Sequence, residues 1–314
     1  MMKDFLWMEE YRPHKIEDCI LPDNIKDSFR GFIGKGEIPN LLLSGSAGVG
    51  KTTIAKAVCD EIGAPYIVVN GSDEGRFLDT VRSRVKEFAS TSSLVSTASH
   101  KVVIIDEADN TTQDVQLSLR AAIEEFHSNC RFIFTCNFPN RIIDPLHSRC
   151  TVINFKIPEE QVQTIQGKFF VRLGNILKEE QVEYDPRILA QMVQRYYPDW
   201  RRLINETQRF SVNGKLDSSV LVEIKEVNID NLIDALKRKK YTVVEKWVID
   251  NVNNDPVSVI RKIYDSLSQC MVASFKPQAV MILANYSRDI EKVPDQELHL
   301  LACLTEIMYQ CEFK

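Results

Sequence analysis

The feature that most constrains this chain is the glycine-rich segment 45–52, which reads Gly-Ser-Ala-Gly-Val-Gly-Lys-Thr. The apolar run 41–43 before it predicts a strand, and the run 53–59 after it predicts a helix. This spacing is that of a P-loop, whose backbone N–H groups surround phosphates at the positive end of a helix. Lys51 is then expected to reach the β- and γ-phosphates of a nucleotide, and Thr52 to hold Mg²⁺. The alternative, a glycine-rich turn between a core strand and a surface helix, does not explain the Lys-Thr pair in register.

Composition sets the outer bounds of the fold. With 314 residues, 44% hydrophobic and 26% charged, the chain is expected to form a soluble globular protein of two or three domains. No apolar run approaches the roughly 20 residues of a membrane span, and the acidic N-terminal segment does not resemble a signal peptide, so we expect a cytoplasmic protein without membrane contact. Eight cysteines without a C-x-x-C pair indicate reduced, mostly buried thiols. The net charge of −5 argues against indiscriminate nucleic-acid binding, although an acidic chain can still carry a local basic face.

The N-terminal segment, with Tyr11-Arg12-Pro13 and residues 18–22, predicts a lead-in to the fold and not a core element. It could wrap the base of a nucleotide bound at the P-loop, with Tyr11 and Ile20 giving apolar contact. The alternative is an arm that only packs on the surface.

A second buried strand is predicted at 66–70, followed by a helix with Leu78, Val81, Val85 and Phe88 on one stripe. Arg82 and Lys86 lie one turn apart on its flank, where such a pair is usually only a solvated face. The polar stretch 90–99 has no periodicity and predicts a mobile loop.

Polar residues follow the next two strands. Asp106 and Glu107 end the apolar run 101–105, and Asn137 ends the run 131–136. Since the carboxyl ends of parallel strands meet at one edge, we expect Asp106 to bind Mg²⁺ through water and Glu107 to polarise the attacking water. Asn137 is expected beside the γ-phosphate, although an asparagine in this place is often only a turn former.

Five strand-like runs, the last at 151–155, predict an α/β fold with a parallel, doubly wound sheet that ends near residue 157. The remainder lacks convincing strands. Helix-like segments fill 159–228, and amphipathic helices follow from about 229. So many apolar helix faces in the last third suggest packing against other subunits.

These positions together resemble the AAA+ ATPases and, among them, the sliding-clamp loaders. The likeness rests on residues 11–13, the P-loop, the acidic box 106–109, Asn137 as sensor 1, Ser148-Arg149-Cys150, and Asp199-Trp200-Arg201 as sensor 2. The likeness to the ATPase large subunit of T4-type phage clamp loaders extends over the whole chain. The chain is also similar to replication factor C small subunits, which share these motifs. Bacterial members usually carry a zinc-binding cysteine cluster, which this sequence lacks.

The resemblance implies three domains: a P-loop AAA+ domain at 1–157, a small helical lid at 158–228 and an all-α collar for oligomerisation at 229–314. It implies Glu107, Lys51, Asn137 and Arg149 as catalytic residues, Arg149 acting on a neighbouring subunit's site. The nucleotide-binding residues that it implies are Met8, Glu9, Glu10, Tyr11, Ile20, Gly48, Val49, Gly50, Lys51, Thr52, Thr53 and Arg201.

The resemblance also implies a function and partners. ATP with Mg²⁺, held by Thr52 and Asp106, would drive opening of a sliding clamp and its release on primer-template DNA. The partners would be further copies of this chain, four in all, one small clamp-loader subunit, the clamp and primed DNA, in the cytoplasm of a phage-infected bacterial cell. Arg82 and Lys86 would bind DNA, and the helix that carries Gln116 and Arg120 would link that contact to catalysis.

Two other functions stay open from the sequence alone. One is a different AAA+ replication ATPase, such as a helicase loader, which would lack the Ser-Arg-Cys triplet. The other is a non-catalytic scaffold subunit that only binds nucleotide, against which intact Lys51, Glu107 and Asn137 speak.

Overall fold

The computed structural model describes residues 5–72, 81–90, 98, 100–216, 229–251, 256–290 and 293–314. The chain divides into two compact units, Met1–Val220 and Leu221–Lys314. The predicted loop at 90–99 lies almost entirely outside the described residues, and so do Leu78 and the side chain of Arg82.

The first unit is built on a five-stranded parallel sheet of order β2-β3-β4-β1-β5, which confirms the predicted sheet. Its strands are β1 (Leu41–Ser44), β2 (Tyr66–Asn70), β3 (Lys101–Asp106), β4 (Cys130–Cys136) and β5 (Thr151–Asn154). In β1, Leu41 and Leu43 face one apolar cluster and Leu42 faces the other. Side chains alternate along a strand, so helices must cover both faces of this sheet.

Nine α-helices are described in the first unit. They are α1 (Trp7–Glu10), α2 (Asp23–Lys35), α3 (Lys51–Ile62), α4 (Lys86–Ser90), α5 (Gln113–Glu125), α6 (Asp144–His147), α7 (Glu159–Glu179), α8 (Pro186–Tyr196) and α9 (Trp200–Phe210). A π-helical turn, Val81–Val85, leads directly into α4, and 3-10 turns lie at Ala108–Asn110 and Pro139–Arg141. Helix α3 packs in the cluster on one face of the sheet and α5 in the cluster on the other, which is the doubly wound arrangement.

The N-terminal segment contradicts the prediction that it is only a lead-in. Ile16, Cys19 and Leu21 are buried in the same cluster as α3, and Phe29 of α2 is fully buried there. These apolar residues stand singly among polar ones, so they show no helix or strand period in the sequence. Their burial comes from contacts with distant parts of the chain.

The region after residue 157 contains two short strands that the sequence did not predict. β6 (Glu183–Tyr184) pairs in parallel with β7 (Lys215–Leu216) and ties the end of α7 to the turn after α9. Strands of two residues are too short to show an alternating pattern. The helices α7, α8 and α9 themselves agree with the predicted helical character of this region.

The second unit is helical, as predicted. Its helices are α10 (Ile229–Lys237), α11 (Tyr241–Asn251), α12 (Pro256–Cys270), α13 (Lys276–Asp289) and α14 (Gln296–Gln310), with a 3-10 turn at Ala273–Phe275. Apolar residues from all five helices form one buried cluster, which includes Leu236, Val248, Ile263, Leu283 and Leu304. All eight cysteines of the chain are free thiols, and six are buried. Among the described residues, no helix has both the length and the apolar character needed to cross a membrane.

Candidate functional site

The P-loop lies between β1 and α3, where its glycines take backbone conformations that other residues rarely adopt. Gly48 has φ +74° and Gly50 has φ +97°. An added Cβ on Gly48 would also collide with Asp199. Since glycine enters this region with little strain, these positions let the loop turn tightly into the N-terminus of α3, where backbone N–H groups suit a phosphate.

Lys51 is the first residue of α3, and its ammonium group lies at the centre of the site. Its Nζ donates to the carbonyl oxygens of Gly45 and Ser46, each at 2.7 Å, and to Asn137 Oδ1 at 2.8 Å. Only 8% of Lys51 is exposed, and burial lowers the pKa of its amine, an effect that nearby Asp106 opposes only in part. The structure therefore brings together Lys51 and Asn137, two of the residues predicted to lie beside the phosphates.

Thr52 and Asp106 form the oxygen-rich corner where the sequence predicts a magnesium site. Thr52 Oγ1 donates to Asp106 Oδ1 at 2.6 Å, next to the phosphate loop. A hydroxyl and a carboxylate suit Mg²⁺, which prefers oxygen ligands and keeps several waters. The residues present therefore fit the ion, which Thr52 would bind directly and Asp106 through water.

Thr135 is a member of this corner that sequence reasoning missed. Its hydroxyl donates to Asp106 Oδ1 at 2.6 Å and accepts from the backbone N–H of Glu107 at 3.0 Å. Thr135 thus fixes both acidic residues at the end of β3 from the neighbouring strand β4. The available signal was a polar residue within the apolar run 132–136.

Glu107 has an unusual backbone conformation, with φ 54° and ψ 45° in the left-handed region. Such conformations cost energy in residues other than glycine and concentrate at functional sites. The Glu107 carboxylate accepts hydrogen bonds from Ser72 Oγ and from Asn110 Nδ2. A Cβ on Gly71 would lie 2.5 Å from the Glu107 carbonyl oxygen, so the end of β2 must stay small here. Glu107 is therefore held beside Asp106 by groups from two strand ends.

Asp109, the last residue of the acidic box, orients the predicted sensor 1. Its Oδ2 accepts from the backbone N–H groups of Asn137 at 3.0 Å and Phe138 at 2.9 Å. Asp109 is 5% exposed, so these bonds are protected from water. The box thus places Asn137 as well as supplying Asp106 and Glu107.

A cavity of about 250 Å³ opens over the P-loop and is large enough to receive part of a nucleotide. Its lining includes Met8, Tyr11, Ile20, residues 48–53, Asp106, Phe169, Arg172, Trp200 and Arg201. The cavity residues predicted from the sequence are therefore brought together, with two exceptions. Glu9 and Glu10 do not line the cavity: the Glu9 carboxylate pairs with Arg12 at 2.5 Å. A side-chain role for these two acids in nucleotide binding finds no support in this geometry.

The segment 199–201 brings the lid helix α9 onto the P-loop. The Trp200 N–H donates to the Gly48 carbonyl at 3.2 Å, and Asp199 caps α9 through the Arg202 N–H at 3.0 Å. Trp200 stacks on Phe169 of α7 with ring centroids 3.7 Å apart. Arg201, the predicted sensor 2, therefore lies at the cavity on a helix start that contacts the phosphate loop directly.

Arg149 lies outside the residues that line its own chain's cavity. Its Nε and Nη2 donate to Glu124 Oε1 at 2.9 and 2.5 Å, and Nη1 donates to the Pro145 carbonyl. The hydrogen bond from Arg149 lowers the pKa of Glu124. This position agrees with an arginine that acts away from its own P-loop.

Gln116 and Arg120, the predicted coupling residues, both lie on α5. Gln116 is 2% exposed and ties the loop after sensor 1, accepting from the Ile143 N–H at 2.9 Å and donating to the Arg141 carbonyl at 3.1 Å. Arg120 pairs with Glu124 at 3.5 Å, the same acid that holds Arg149. Helix α5 therefore connects the sensor loop with Arg149, a link that the sequence did not predict.

Of the predicted DNA-binding pair, only Lys86 can be described in full. Its Nζ lies 3.6 Å from Glu125 Oε1, and both side chains are more than half exposed. An exposed pair of this kind contributes little stability, so Lys86 can exchange its partner for a phosphate at low cost.

Two family models match this chain. The model for the ATPase family associated with various cellular activities (AAA) matches residues 41–157. The model for the AAA+ ATPase lid domain of the sliding-clamp-loader large subunit matches residues 161–222.

Among curated proteins, the sliding-clamp-loader large subunit of Escherichia phage RB69 is 37% identical over 266 residues, which cover 80% of this chain and 82% of that protein. The corresponding subunit of Enterobacteria phage T4 is 35% identical and covers 82% of this chain and 87% of its own length. A replication factor C small subunit from Picrophilus torridus is 28% identical over 97% of both chains.

Solved structures of RuvB from Thermotoga maritima are also similar, with a TM-score of 0.52 at 20% identity over 82% of this chain and 85% of theirs. At that identity the likeness concerns the fold alone. The phage relatives extend the assignment beyond the fold, because they match most of both chains, and the lid model that matches this chain is that of the sliding-clamp-loader large subunit. This chain therefore belongs to the AAA+ family of sliding-clamp-loader ATPase subunits.

Proposed function

We propose that this chain is the ATPase subunit of a sliding-clamp loader, in which ATP binding opens and holds the clamp on primer-template DNA and ATP hydrolysis releases it. Family membership makes the chain an ATP hydrolase. The observation that carries the proposal is that the residues expected to act on ATP meet at one edge of the sheet, here called the catalytic edge. Lys51 donates a hydrogen bond to Asn137, and Thr52 donates one to Asp106. A scaffold that only binds nucleotide does not require this set.

Each residue of this edge has a separable task, since phosphoryl transfer to water depends on positioning and charge stabilisation. Lys51 binds the phosphates, and Glu107 with Asn137 orients the attacking water. Arg201 contacts the γ-phosphate from the lid of the same chain. When bound, Mg²⁺ neutralises phosphate charge, held by Thr52 and by Asp106 through water.

The proposed assembly follows from the family. Four copies of this chain join one small clamp-loader subunit, and the complex acts on the clamp and primed DNA. The proposed division is an ATPase domain at 1–157, a lid at 158–228 and a collar at 229–314. By resemblance to the family, Arg149 of one copy enters the ATP site of the next, and its place outside its own cavity is compatible with this role.

One experiment tests the function as a whole. ATPase turnover and the mass of the complex are measured with and without primed DNA and the sliding clamp of a related phage. We expect primed DNA and clamp together to raise turnover several-fold above the basal rate and the mass to exceed that of one chain. Turnover that is indifferent to both, in a chain that stays monomeric with its small subunit present, would contradict the proposal.

A second prediction concerns the DNA face. We propose that Arg82 and Lys86 bind DNA phosphates, because a chain of net charge −5 that grips a duplex must concentrate its cations. Replacing both by Ala should weaken binding about equally for every primed sequence, since phosphate contacts carry no sequence information. The slope of log K against log salt should fall by about 0.9 for each phosphate that the protein no longer neutralises.

The matched control for this prediction replaces two exposed cations elsewhere in the same unit, Lys178 and Arg187, by Ala. The control removes as many positive charges as the test variant does. It therefore separates the loss of a specific phosphate contact from the effect of a changed net charge. The double variant at 82 and 86 should also lose DNA stimulation of the ATPase while basal ATP binding is kept. Equal affinity and equal salt slope in the test and control variants would place the DNA face elsewhere.

A further inference from the structure

Hydrogen bonds join the N-terminal arm, defined here as residues 5–22, to the lid helices at three places. Gln208 of α9 accepts from the Trp7 N–H at 3.1 Å and donates to the Phe5 carbonyl. The Tyr11 hydroxyl donates to Glu180 Oε1, just after α7, at 2.6 Å. The third place is Arg172 of α7. The arm is thus bound to the lid at positions from Phe5 to Asp18, and within the same segment Ile16 and Cys19 are buried in the core.

Arg172 makes the contact that bears on the nucleotide site. Its Nη2 donates to the Tyr11 carbonyl at 2.5 Å and its Nη1 to the Asp18 carbonyl at 2.8 Å. One guanidinium group therefore joins the two ends of the segment 11–18. Hydrogen bonds from a charged donor are roughly twice as strong as neutral ones, and the planar guanidinium holds both carbonyls in one fixed geometry.

The two ends of the segment that Arg172 joins, Tyr11 and Asp18, lie at or next to residues of the apolar wall of the cavity. Tyr11 and Ile20 both line it, and so does Arg172. The distance between Tyr11 and Ile20 is set by the chain that connects them, and Arg172 closes that connection from the lid. A loop closed in this way loses conformational freedom before the ligand arrives, which favours binding.

The same face of α7 also reaches the phosphate end of the cavity. Phe169, one turn before Arg172, stacks on Trp200, whose N–H bonds to Gly48 of the P-loop. Residues three apart share a helix face, so Phe169 and Arg172 are fixed to the same side of α7. A change in the lid at the phosphate end is then transmitted to the base end through a single helix.

We infer that Arg172 is a positioning residue for base recognition, which fixes the span between Tyr11 and Ile20 and makes the affinity for the base depend on the lid. This inference rests on the proposed function, since it assigns the base of ATP to this part of the cavity. Arg172 is half-buried and is not required for the chemistry at Glu107. Its effect should therefore fall on nucleotide affinity and base preference, not on turnover at saturation.

The test measures the Kd of non-hydrolysable ATP and GTP analogues and the steady-state kcat and KM of the assembled complex. Arg172→Ala should raise the Kd and KM for ATP about tenfold, as expected for removal of a charged hydrogen bond. The ATP-over-GTP preference should fall, and kcat at saturating ATP should change less than about twofold. Arg172→Lys keeps the charge but not the planar fork, so its Kd should lie between those of Arg172→Ala and the unaltered chain.

Arg187→Ala, which removes an exposed lid arginine, is the control and should leave the Kd, KM and base preference unchanged. Thermal melting verifies that each variant is folded; if Arg172→Ala is not, Arg172→Lys and Arg172→Gln carry the same comparison. Unchanged Kd and unchanged base preference in the folded variants, or a loss of kcat at constant KM, would overturn the inference. Failure of the unaltered chain to bind the ATP analogue would instead count against the proposed function.

Discussion

We expect Arg149→Ala to lower the ATPase rate of the assembled complex by about 10³–10⁵, the contribution of arginine fingers in related P-loop enzymes. ATP binding by each chain should persist, because Arg149 does not line its own cavity and is bound instead to Glu124 at its own surface. Arg149→Lys should recover only part of the rate, since an ammonium group cannot make the bidentate contact of a guanidinium. Single-turnover and steady-state hydrolysis measure the loss of rate, and an equilibrium Kd for ATP shows that binding is kept.

Mixing experiments decide whether Arg149 acts on a neighbour. A chain with Arg149→Ala retains its P-loop, and a chain with Lys51→Ala retains its Arg149, so a mixed complex contains a minority of interfaces in which both are intact. Activity of the mixture above that of either variant alone is the expected outcome. Lys156→Ala, which removes an exposed cation elsewhere in the domain, is the charge control. No gain in a mixed complex that has been shown to assemble would refute action in trans.

Arg149, the proposed arginine finger, shares one carboxylate with Arg120 of α5. Glu124 receives both arginines, and Gln116, about two turns earlier on α5, ties the loop that follows sensor 1. Gln116 also donates to the Thr111 carbonyl, just after the 3-10 turn that follows Glu107. A shift of α5 would therefore be felt at Glu107 and at Arg149 together, which supports the proposed coupling role of this helix.

The sequence predicts which side chains meet at this edge of the sheet because these residues lie at or next to the ends of strands. A P-loop and acids after an apolar strand identify Lys51, Thr52, Asp106 and Glu107 without knowledge of any distant contact. Their meeting at one edge follows from the parallel sheet alone. The same reasoning placed Asn137, which the structure brings to Lys51 at 2.8 Å.

The residues that the sequence missed act through distant partners. Thr135 contacts Asp106 from 29 positions away, and Arg172 contacts Tyr11 from 161 positions away. Neither pairing leaves a period or a motif in the sequence, since each depends on how strands and helices pack. The burial of Ile16 was missed for the same reason. By contrast, Glu9 was assigned from family resemblance alone, and its side chain turns to Arg12 instead of the cavity.

Glu107→Gln should abolish most turnover while ATP binding is kept, whereas Lys51→Ala should abolish tight binding itself. Glutamine preserves the size of the side chain and can still contact Ser72 and Asn110, but it cannot polarise water as a carboxylate does. Loss of a group that acts mainly in the transition state costs about 10²–10³ in rate. The Kd for ATP, measured beside kcat, should therefore separate the two variants.

The geometry around Glu107 makes this test specific. The residue has a strained backbone, and its N–H is fixed by Thr135, so a substitution that disturbed the turn would also displace the neighbouring Asp106, which we propose holds Mg²⁺ through water. Glu107→Gln leaves the backbone untouched, and retained Mg²⁺-dependent ATP binding would show that this corner is intact. Glu159→Gln, an exposed acid at the start of α7, is the matched control and should hydrolyse ATP at the native rate. If Glu107→Gln does so as well, another group must activate the water, and the left-handed turn at 107 serves only to place Asp106 and Asp109.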